Sequence, residues 1–298
     1  FIPHDLEPAV KFGDATLSAF TAVGTPLYNF KISSGNDVDI FGLRFPSPLV
    51  ASSFKSETGI LNIWLQMGLG GVILKTIMKD ERLGNSRPRL QDASLDGEKG
   101  LLNSMGLPGQ GVESFSAELP KNGLWDFDRP LGVSIGGNSL KEYVENVRVV
   151  NQALWGFAKP YFYELNISCP NTENGRTIGD DPTELESLLD QIRKIVTNPI
   201  SIKVSPDFSN EQLELTGEIC QSTDLMFINA GNTQLKMAIE VVINPRYFSK
   251  EGGGFSGPAL FDRTIEMVKL FSKFDLPIMA TGGISNIHHV RKLKNEGA

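Results

Sequence analysis

Cysteine is scarce: the 298-residue chain holds two, Cys169 and Cys220. That excludes a disulfide scaffold, a Cys₄ zinc site and an iron–sulfur cluster held by this chain alone, and it suits a reducing compartment. Histidine is scarce too, with His4, His288 and His289 the whole supply. Positive charge is in deficit, since the formal net charge is −7 and no long run of lysine or arginine occurs. Nucleic acid and anionic membranes are therefore not expected partners, and small molecules are. No apolar run approaches the roughly 18 residues of a membrane span, and the opening FIPHDLEPAV lacks the basic start and apolar core of a signal peptide. The expected protein is soluble and cytoplasmic, and no linker or charge block divides it.

Short apolar runs, by contrast, recur along the whole chain. They are SPLVAS (Ser47–Ser52), GGVILKT (Gly70–Thr76), LGVSIGG (Leu131–Gly137), YFYELNIS (Tyr161–Ser168), PISIKVS (Pro199–Ser205), LMFINAG (Leu225–Gly231) and PIMATGG (Pro277–Gly283). Several are apolar at consecutive positions, as parallel strands covered on both faces require. Amphipathic helix patterns such as SLKEYVENVRVVNQALWGF, PTELESLLDQIRKIV and RTIEMVKLFSKF lie between them. Alternating β and α predicts an α/β fold. The polar residues follow the strands: Lys75 and Thr76, Cys169 to Asn171, Lys203 to Ser205, Asn229 to Asn232, Thr281 to Gly283. A (β/α)₈ TIM barrel brings all such positions to one face, whereas a doubly wound open sheet gathers only those at its switch point, so the barrel is the expected fold. KGLLNSMGLPGQG and KEGGGFSGPALF interrupt the rhythm and read as long functional loops.

Cys169 leaves its strand among amides and is followed by Pro170, which cannot continue a ladder. A lone cysteine is ordinarily inert packing. At a strand end chemistry becomes the better reading, and of its forms a metal site or a Cys–His nucleophile lacks partners, because His288 and His289 fall in a predicted helix after the seventh strand. A general base remains. Lys75 and Lys203 each end a strand; snorkelling is the ordinary explanation of one such lysine. Two at the predicted mouth point to a carboxylate, a phosphate or a reduced flavin to neutralise. TGGISN and the nearby GGGFSG read as glycine-rich loops that admit a phosphate to backbone N–H groups. Asn103, Asn166, Asn171 and Asn229 together offer donors and acceptors for a planar amide-bearing ring, whose identity the residues leave open.

ELNISCPNT, LLNSMGLPGQG, SIKVSPDFS, INAGN and MATGGIS occur in the order and at about the spacing of the dihydroorotate dehydrogenase family, which the chain resembles from Asp39 to Ala298. The resemblance implies an FMN enzyme that oxidises dihydroorotate to orotate in pyrimidine synthesis. Carried onto this sequence, it makes Cys169 the base for the C5 proton while a hydride passes from C6 to the flavin. It makes Lys75 the partner of the substrate carboxylate and flavin edge, with the backbone of Met105, Gly106 and Leu107 completing that anion pocket. Asn103, Asn166, Asn171 and Asn229 would read the pyrimidine. Lys203 would face the flavin N1 and O2, Ala51, Ser52 and Thr76 would line the ring with Asn166, and Ser256, Gly257, Gly282 and Gly283 would approach the ribityl phosphate.

A cysteine base and NSMGLP resemble the soluble class 1 members, which implies a homodimer and leaves two electron routes: fumarate at the same site, or NAD through a partner subunit carrying FAD and an iron–sulfur cluster. The absence of a hydrophobic N-terminal helix agrees and makes quinone a poor candidate. Ala230 stands where the family usually has a hydroxyl, which keeps another dihydropyrimidine as an alternative substrate; a catalytically silent flavin-binding barrel is the rival from another class. TENGRTIGDDPTELESLL is closer to the class 2 lid. Residues 1–38 form an N-terminal extension of unassigned role, and 39–298 the barrel domain. The chain stops at NEGA, where the family enters its eighth strand, so the expectation is a C-terminally incomplete barrel, about 30 residues short of a further βα unit.

Overall fold

The computed structural model describes residues 4–20, 25–168 and 178–298. Seven parallel strands form one sheet: β1 (Val50–Ala51), β2 (Gly71–Ile77), β3 (Leu131–Ile135), β4 (Tyr161–Asn166), β5 (Ile200–Lys203), β6 (Met226–Ala230) and β7 (Ile278–Ala280). Their order in the sheet is their order in the chain, the succession of a (β/α)₈ barrel wall. Six lie within an apolar run named above, and β2 runs one residue past GGVILKT to Ile77. Helices follow the strands: α1 (Thr58–Gln66), α2 (Val112–Glu118), α3 (Leu140–Ala153), α4 (Pro182–Arg193), α5 (Asn210–Gln221), α6 (Phe261–Phe271) and α7 (Ile287–Glu296). Local chemistry sets their starts. Asp181 accepts from the N–H groups of Thr183 and Glu184, with Pro182 in the first turn. Ser209 and Gln212 cap α5 reciprocally. Ser209→Ala is expected to destabilise the fold by about 1 kcal/mol, read as a small drop in thermal midpoint; no drop would mean that water replaces the cap without loss.

The period-2 alternation of a strand decides which residues reach the site. On β4, Tyr161, Tyr163 and Leu165 pack into the core beneath the helices, while Phe162, Glu164 and Asn166 point inward. On β6 the outward set is Met226, Ile228 and Ala230, and Phe227 and Asn229 point inward. Phe162 and Phe227 meet Ile73 of β2 and the side chains of Ile40, Leu43 and Phe45 from an antiparallel hairpin, Val38–Ile40 with Leu43–Phe45. The Phe162 and Phe227 rings are 5.2 Å apart in an edge-on contact, a favoured geometry. This apolar layer, drawn from even-numbered strands, is the floor on which the polar layer stands. Gly132 of β3 makes room for it, because a Cβ there would lie 2.6 Å from the Phe162 ring and 2.9 Å from Ile73.

One expectation needs correction. KGLLNSMGLPGQG and KEGGGFSGPALF are not simply loops: Leu90–Leu95, Glu98–Asn103, Gly252–Ser256 and Gln234–Met237 build a four-stranded antiparallel sheet above the barrel wall. GGGFSG is thus mostly a strand, paired with Glu98–Asn103 through Gly254 opposite Asn103 and Ser256 opposite Leu101. Glycine is used there for close approach, since a Cβ on Gly253 would lie 2.2 Å from the Asn103 carbonyl oxygen.

The N-terminal extension has no role assigned from its sequence. It contains a helix, Glu7–Phe20, tied to the strand-end loops. Asp5 pairs with Arg87 at 2.7 Å, Glu7 with Arg89 at 2.5 Å, and Asp14 with Lys55. Val10, Phe12 and Leu17 on this helix are exposed, with Val10 and Leu17 on one side and Phe12 on the other. Among the described residues no helix is long and apolar enough to cross a membrane.

Candidate active site

The C-terminal ends of the strands carry a polar layer made of two neighbouring hydrogen-bonded groups. The Asn166 amide donates to the Thr76 hydroxyl at 3.0 Å, and the hydroxyls of Thr76 and Ser134 lie 2.9 Å apart. Beside them, Glu164 accepts from the Ser53 hydroxyl at 2.8 Å and from the Asn229 amide at 2.7 Å. Lys203 Nζ donates to Ser53 Oγ at 3.1 Å, and the Thr281 hydroxyl donates to Asn229 Oδ1 at 2.7 Å. Residues from β2 to β7 thereby meet over the apolar floor. Glu164 and Lys203 are 0% and 5% exposed. Charges so deep need partners or a ligand, which makes this layer the candidate centre.

Lys75 and Thr76 both reach the site, although adjacent strand residues normally face opposite ways. The cause is a shift in the β2–β3 register between Leu74 and Ile77. In place of a ladder partner, the Lys75 N–H donates to the Lys55 carbonyl at 2.9 Å and to the Ser56 hydroxyl at 3.2 Å. Such a bulge re-aims side chains. A cavity of about 330 Å³ runs beside them, lined by Glu57, Lys75, Thr76, Leu107, Gly109 and Phe115 among others. Burial holds the Lys75 ammonium below the ordinary lysine range; Glu57 and Glu7 oppose the shift, and Arg89 and Lys55 add to it.

The loop after Asn103 is shaped by its neighbours. The Asn103 amide donates to the Gly254 carbonyl at 3.0 Å. The Met105 carbonyl accepts from the Asn85 N–H at 3.0 Å and from Arg89 Nη1 at 3.4 Å. Gly106 and Leu107 have left-handed φ values of 72° and 50°. Strain at the non-glycine position is common where a ligand is clamped.

On the opposite side, Gly282 and Gly283 turn with φ of 119° and 67°. A Cβ on Gly283 would lie 2.4 Å from the Phe261 N atom, so only glycine permits this approach to the start of α6. Thr264 fixes the turn by donating to the carbonyls of Thr281 and Gly282 at 3.1 and 3.0 Å. Gly257, four residues before Phe261, crosses Gly100 closely enough that a Cβ would meet its Cα at 2.9 Å. The two glycine-bearing segments therefore converge near the start of α6.

Of the residues singled out from sequence, Thr76, Asn166, Lys203 and Asn229 join the polar layer, Lys75 and Leu107 share its side cavity, and Gly282 and Gly283 border it. Ala51 and Ser52 lead directly into Ser53. Cys169 and Asn171 lie outside the described residues. Cys220 is buried in the helix-facing core, where burial pushes its thiol far above the usual range, and it takes no part. Among the described residues no group of His, Cys, Asp and Glu could hold a metal ion. Ser53, Ser134, Glu164, Asn232 and Thr281 escaped the sequence reading as individual site residues. Glu164 had the clearest signal, a carboxylate two residues before Asn166 in an otherwise uncharged strand. Asn232 donates to Asn166 Oδ1 at 3.4 Å and to the Ser168 hydroxyl.

The family model for dihydroorotate dehydrogenase matches residues 36–292. A putative dihydroorotate dehydrogenase A (fumarate) of Aquifex aeolicus is 32% identical over 255 residues, covering 83% of this chain and 79% of its own. The catalytic subunit of dihydroorotate dehydrogenase B (NAD(+)) of Pyrococcus furiosus is 29% identical over 260 residues, with the same 83% and 79% coverage. In fold, the chain is similar to DHODH of Eimeria tenella solved in complex with ferulenol, with a TM-score of 0.77 at 21% identity over 97% of this chain and 84% of that one. That span exceeds the barrel alone, so part of the N-terminal extension also has a counterpart in fold. With the family model matching most of its length and a relative 32% identical over 83% of it, the chain belongs to the dihydroorotate dehydrogenase family.

Proposed function

We propose that this chain oxidises dihydroorotate to orotate in pyrimidine synthesis, with FMN as the hydride acceptor and Cys169 as the base that takes the C5 proton. The observation that carries the reading is Lys203, a 5%-exposed ammonium that ends a strand beside Asn229 and Asn166 and has only the Ser53 hydroxyl as a hydrogen-bond partner among the described residues. A buried cation with spare donors fits an electron-rich ring edge. Ala51, Ser52, Thr76 and Asn166 would hold the flavin ring, and the converging glycines Gly257, Gly282 and Gly283, with Ser256, its phosphate. Bound there, FMN would supply a two-electron acceptor.

The remaining roles belong to the chain itself. Lys75 would hold the substrate carboxylate against the Met105–Leu107 loop, in a half-buried cavity where a charge-assisted hydrogen bond is stronger than in bulk. Asn103, Asn166, Asn171 and Asn229 would orient the pyrimidine amides. The Asn229 side chain is already fixed for this, with its NH₂ on Glu164 and its oxygen receiving the Thr281 hydroxyl. Ala230 supplies no hydroxyl; it is fully buried in the helix-facing core. Purified protein reconstituted with FMN and offered dihydroorotate tests the reading directly. Turnover is expected, and failure with dihydroorotate but success with a dihydropyrimidine lacking the carboxylate would replace the substrate. Fumarate offered to the chain alone, and NAD offered together with an electron-transfer subunit carrying FAD and an iron–sulfur cluster, distinguish the two acceptors for which the Aquifex and Pyrococcus relatives are named.

Lys75→Ala is expected to weaken dihydroorotate use about tenfold or more, the scale of one lost charge-assisted hydrogen bond, and to affect an analogue without the carboxylate far less. Equal losses for both would move Lys75 to a flavin or structural role. Its lowered pKa adds a pH signature. The native chain holds this proton less tightly than the unfolded chain, so burial of Lys75 opposes folding below its native pKa, and that opposition fades as pH rises toward the ordinary lysine value. Orotate binding favours the protonated amine. Affinity for orotate should therefore fall at alkaline pH earlier than an exposed lysine would dictate, and Lys75→Ala should flatten that limb of the titration.

A further inference from the structure

Glu164 is fully buried within the candidate centre, and no role assigned so far uses it. Its two oxygens accept one hydrogen bond each, from Ser53 at 2.8 Å and Asn229 at 2.7 Å. Removing a carboxylate from water opposes folding by several kcal/mol unless a positive charge compensates. Among the described residues neither Glu164 nor Lys203 enters a direct ion pair. The Ser53 hydroxyl joins them. Its proton points to Glu164, and its oxygen accepts from Lys203 Nζ at 3.1 Å. A hydroxyl is both donor and acceptor, and an acid on one side with an ammonium on the other fixes the direction of both bonds.

We propose that Glu164 is the counter-charge of Lys203, held one hydroxyl away by Ser53, and that this trio sets the positive potential the site presents to the flavin. The inference rests on the reading of Lys203 as flavin-facing. The spacer matters because Coulomb attraction falls with separation. In direct contact the carboxylate would take up most of the ammonium's field and at least one more of its three donors. With Ser53 between them, Lys203 stays anchored and compensated while its other N–H groups remain available to an acceptor above. Glu164 also receives the Asn229 amide, so the same carboxylate fixes a proposed substrate-reading side chain.

The test is the midpoint potential of FMN bound to the full chain, measured by equilibration with a reference dye. Glu164→Gln removes the negative charge and keeps the shape, so the flavin should become easier to reduce, by about tenfold in the two-electron equilibrium, or about 30 mV. Ser53→Ala deletes the spacer. Lys203 then closes directly on Glu164, and the flavin should become harder to reduce, by about threefold. Ser53 is only partly buried, so this variant remains informative where the Gln variant fails to fold. Shifts of opposite sign are the signature of the counter-charge. A merely structural role would lower the melting temperature of both variants while leaving the potentials unmoved or moving them the same way, and either result overturns the proposal. Parent protein that binds no FMN would overturn the cofactor reading and this inference with it, whereas bound FMN with unmoved potentials in the variants would overturn this inference alone.

Discussion

Cys169→Ala is expected to retain bound FMN and to slow reduction of that flavin by dihydroorotate about 100-fold or more, the lower range of what a general base contributes. The chain is held firmly up to the preceding residue. Ser168 donates to Asn166 Oδ1 at 2.5 Å and accepts from Asn232, so the strand end from which Cys169 follows is tied to the polar layer. Among its described residues nothing in that layer replaces a thiolate: Asn166, Asn229 and Thr76 are neutral, and Glu164 is occupied by Ser53 and Asn229. Stopped-flow reduction of the variant isolates the chemical step from the electron acceptor. Reduction at the parental rate would remove Cys169 from the mechanism. Cys169→Ser should keep part of the activity with its optimum displaced to higher pH, because a hydroxyl is harder to ionise than a thiol; a pH profile superimposable on the parent's would argue against proton abstraction at this position.

What could be seen in the sequence followed from periodicity. Runs such as GGVILKT and YFYELNIS are apolar at consecutive positions because both faces of the strand are covered, and that property located β1 to β7. The same habit of reading concealed other features. Gly252–Ser256 carries three glycines and one phenylalanine, so it has no strand-like pattern of its own; its strand character comes from pairing with Glu98–Asn103, about 150 residues away in the chain, as the 151-residue separation of the Asn103–Gly254 contact shows. Propensity cannot register a partner so distant. The bulge that turns both Lys75 and Thr76 to the site is likewise invisible, because it arises from the Lys55 and Ser56 contacts rather than from either residue. Glu7–Phe20 went unread because its anchors, Arg87 and Arg89, lie in another part of the chain.

The site was legible to a different degree. Residues that end strands were found because position alone marks them. Ser53 and Glu164 were not, since a serine in a turn and a glutamate inside a strand acquire meaning only when the barrel brings β1 and β4 together. Alternation did contain half of the answer for Glu164: residues 162, 164 and 166 share one face, so the acid had to point inward with Asn166. What alternation does not contain is the partner, and the partner, Lys203 through Ser53, decides what the carboxylate can do.

Lys203→Ala should make the bound flavin harder to reduce whatever the substrate, by about a hundredfold in the two-electron equilibrium, or about 60 mV. A cation beside the ring favours the electron-rich reduced form over the oxidised one. Its removal has a second effect here, because Glu164 remains buried with only neutral donors and adds its own negative potential to the same region. The two effects act in one direction, which is why this change should exceed either variant of the counter-charge pair. Lys203→Arg keeps the charge and should keep the potential near that of the parent, although a planar guanidinium fits the Ser53 geometry less well than a compact ammonium. Lys203→Ala combined with Glu164→Gln removes both charges, and its potential should return toward that of the parent. A potential unchanged in Lys203→Ala, with FMN still bound, would show that the ammonium faces elsewhere and that its burial serves the fold alone.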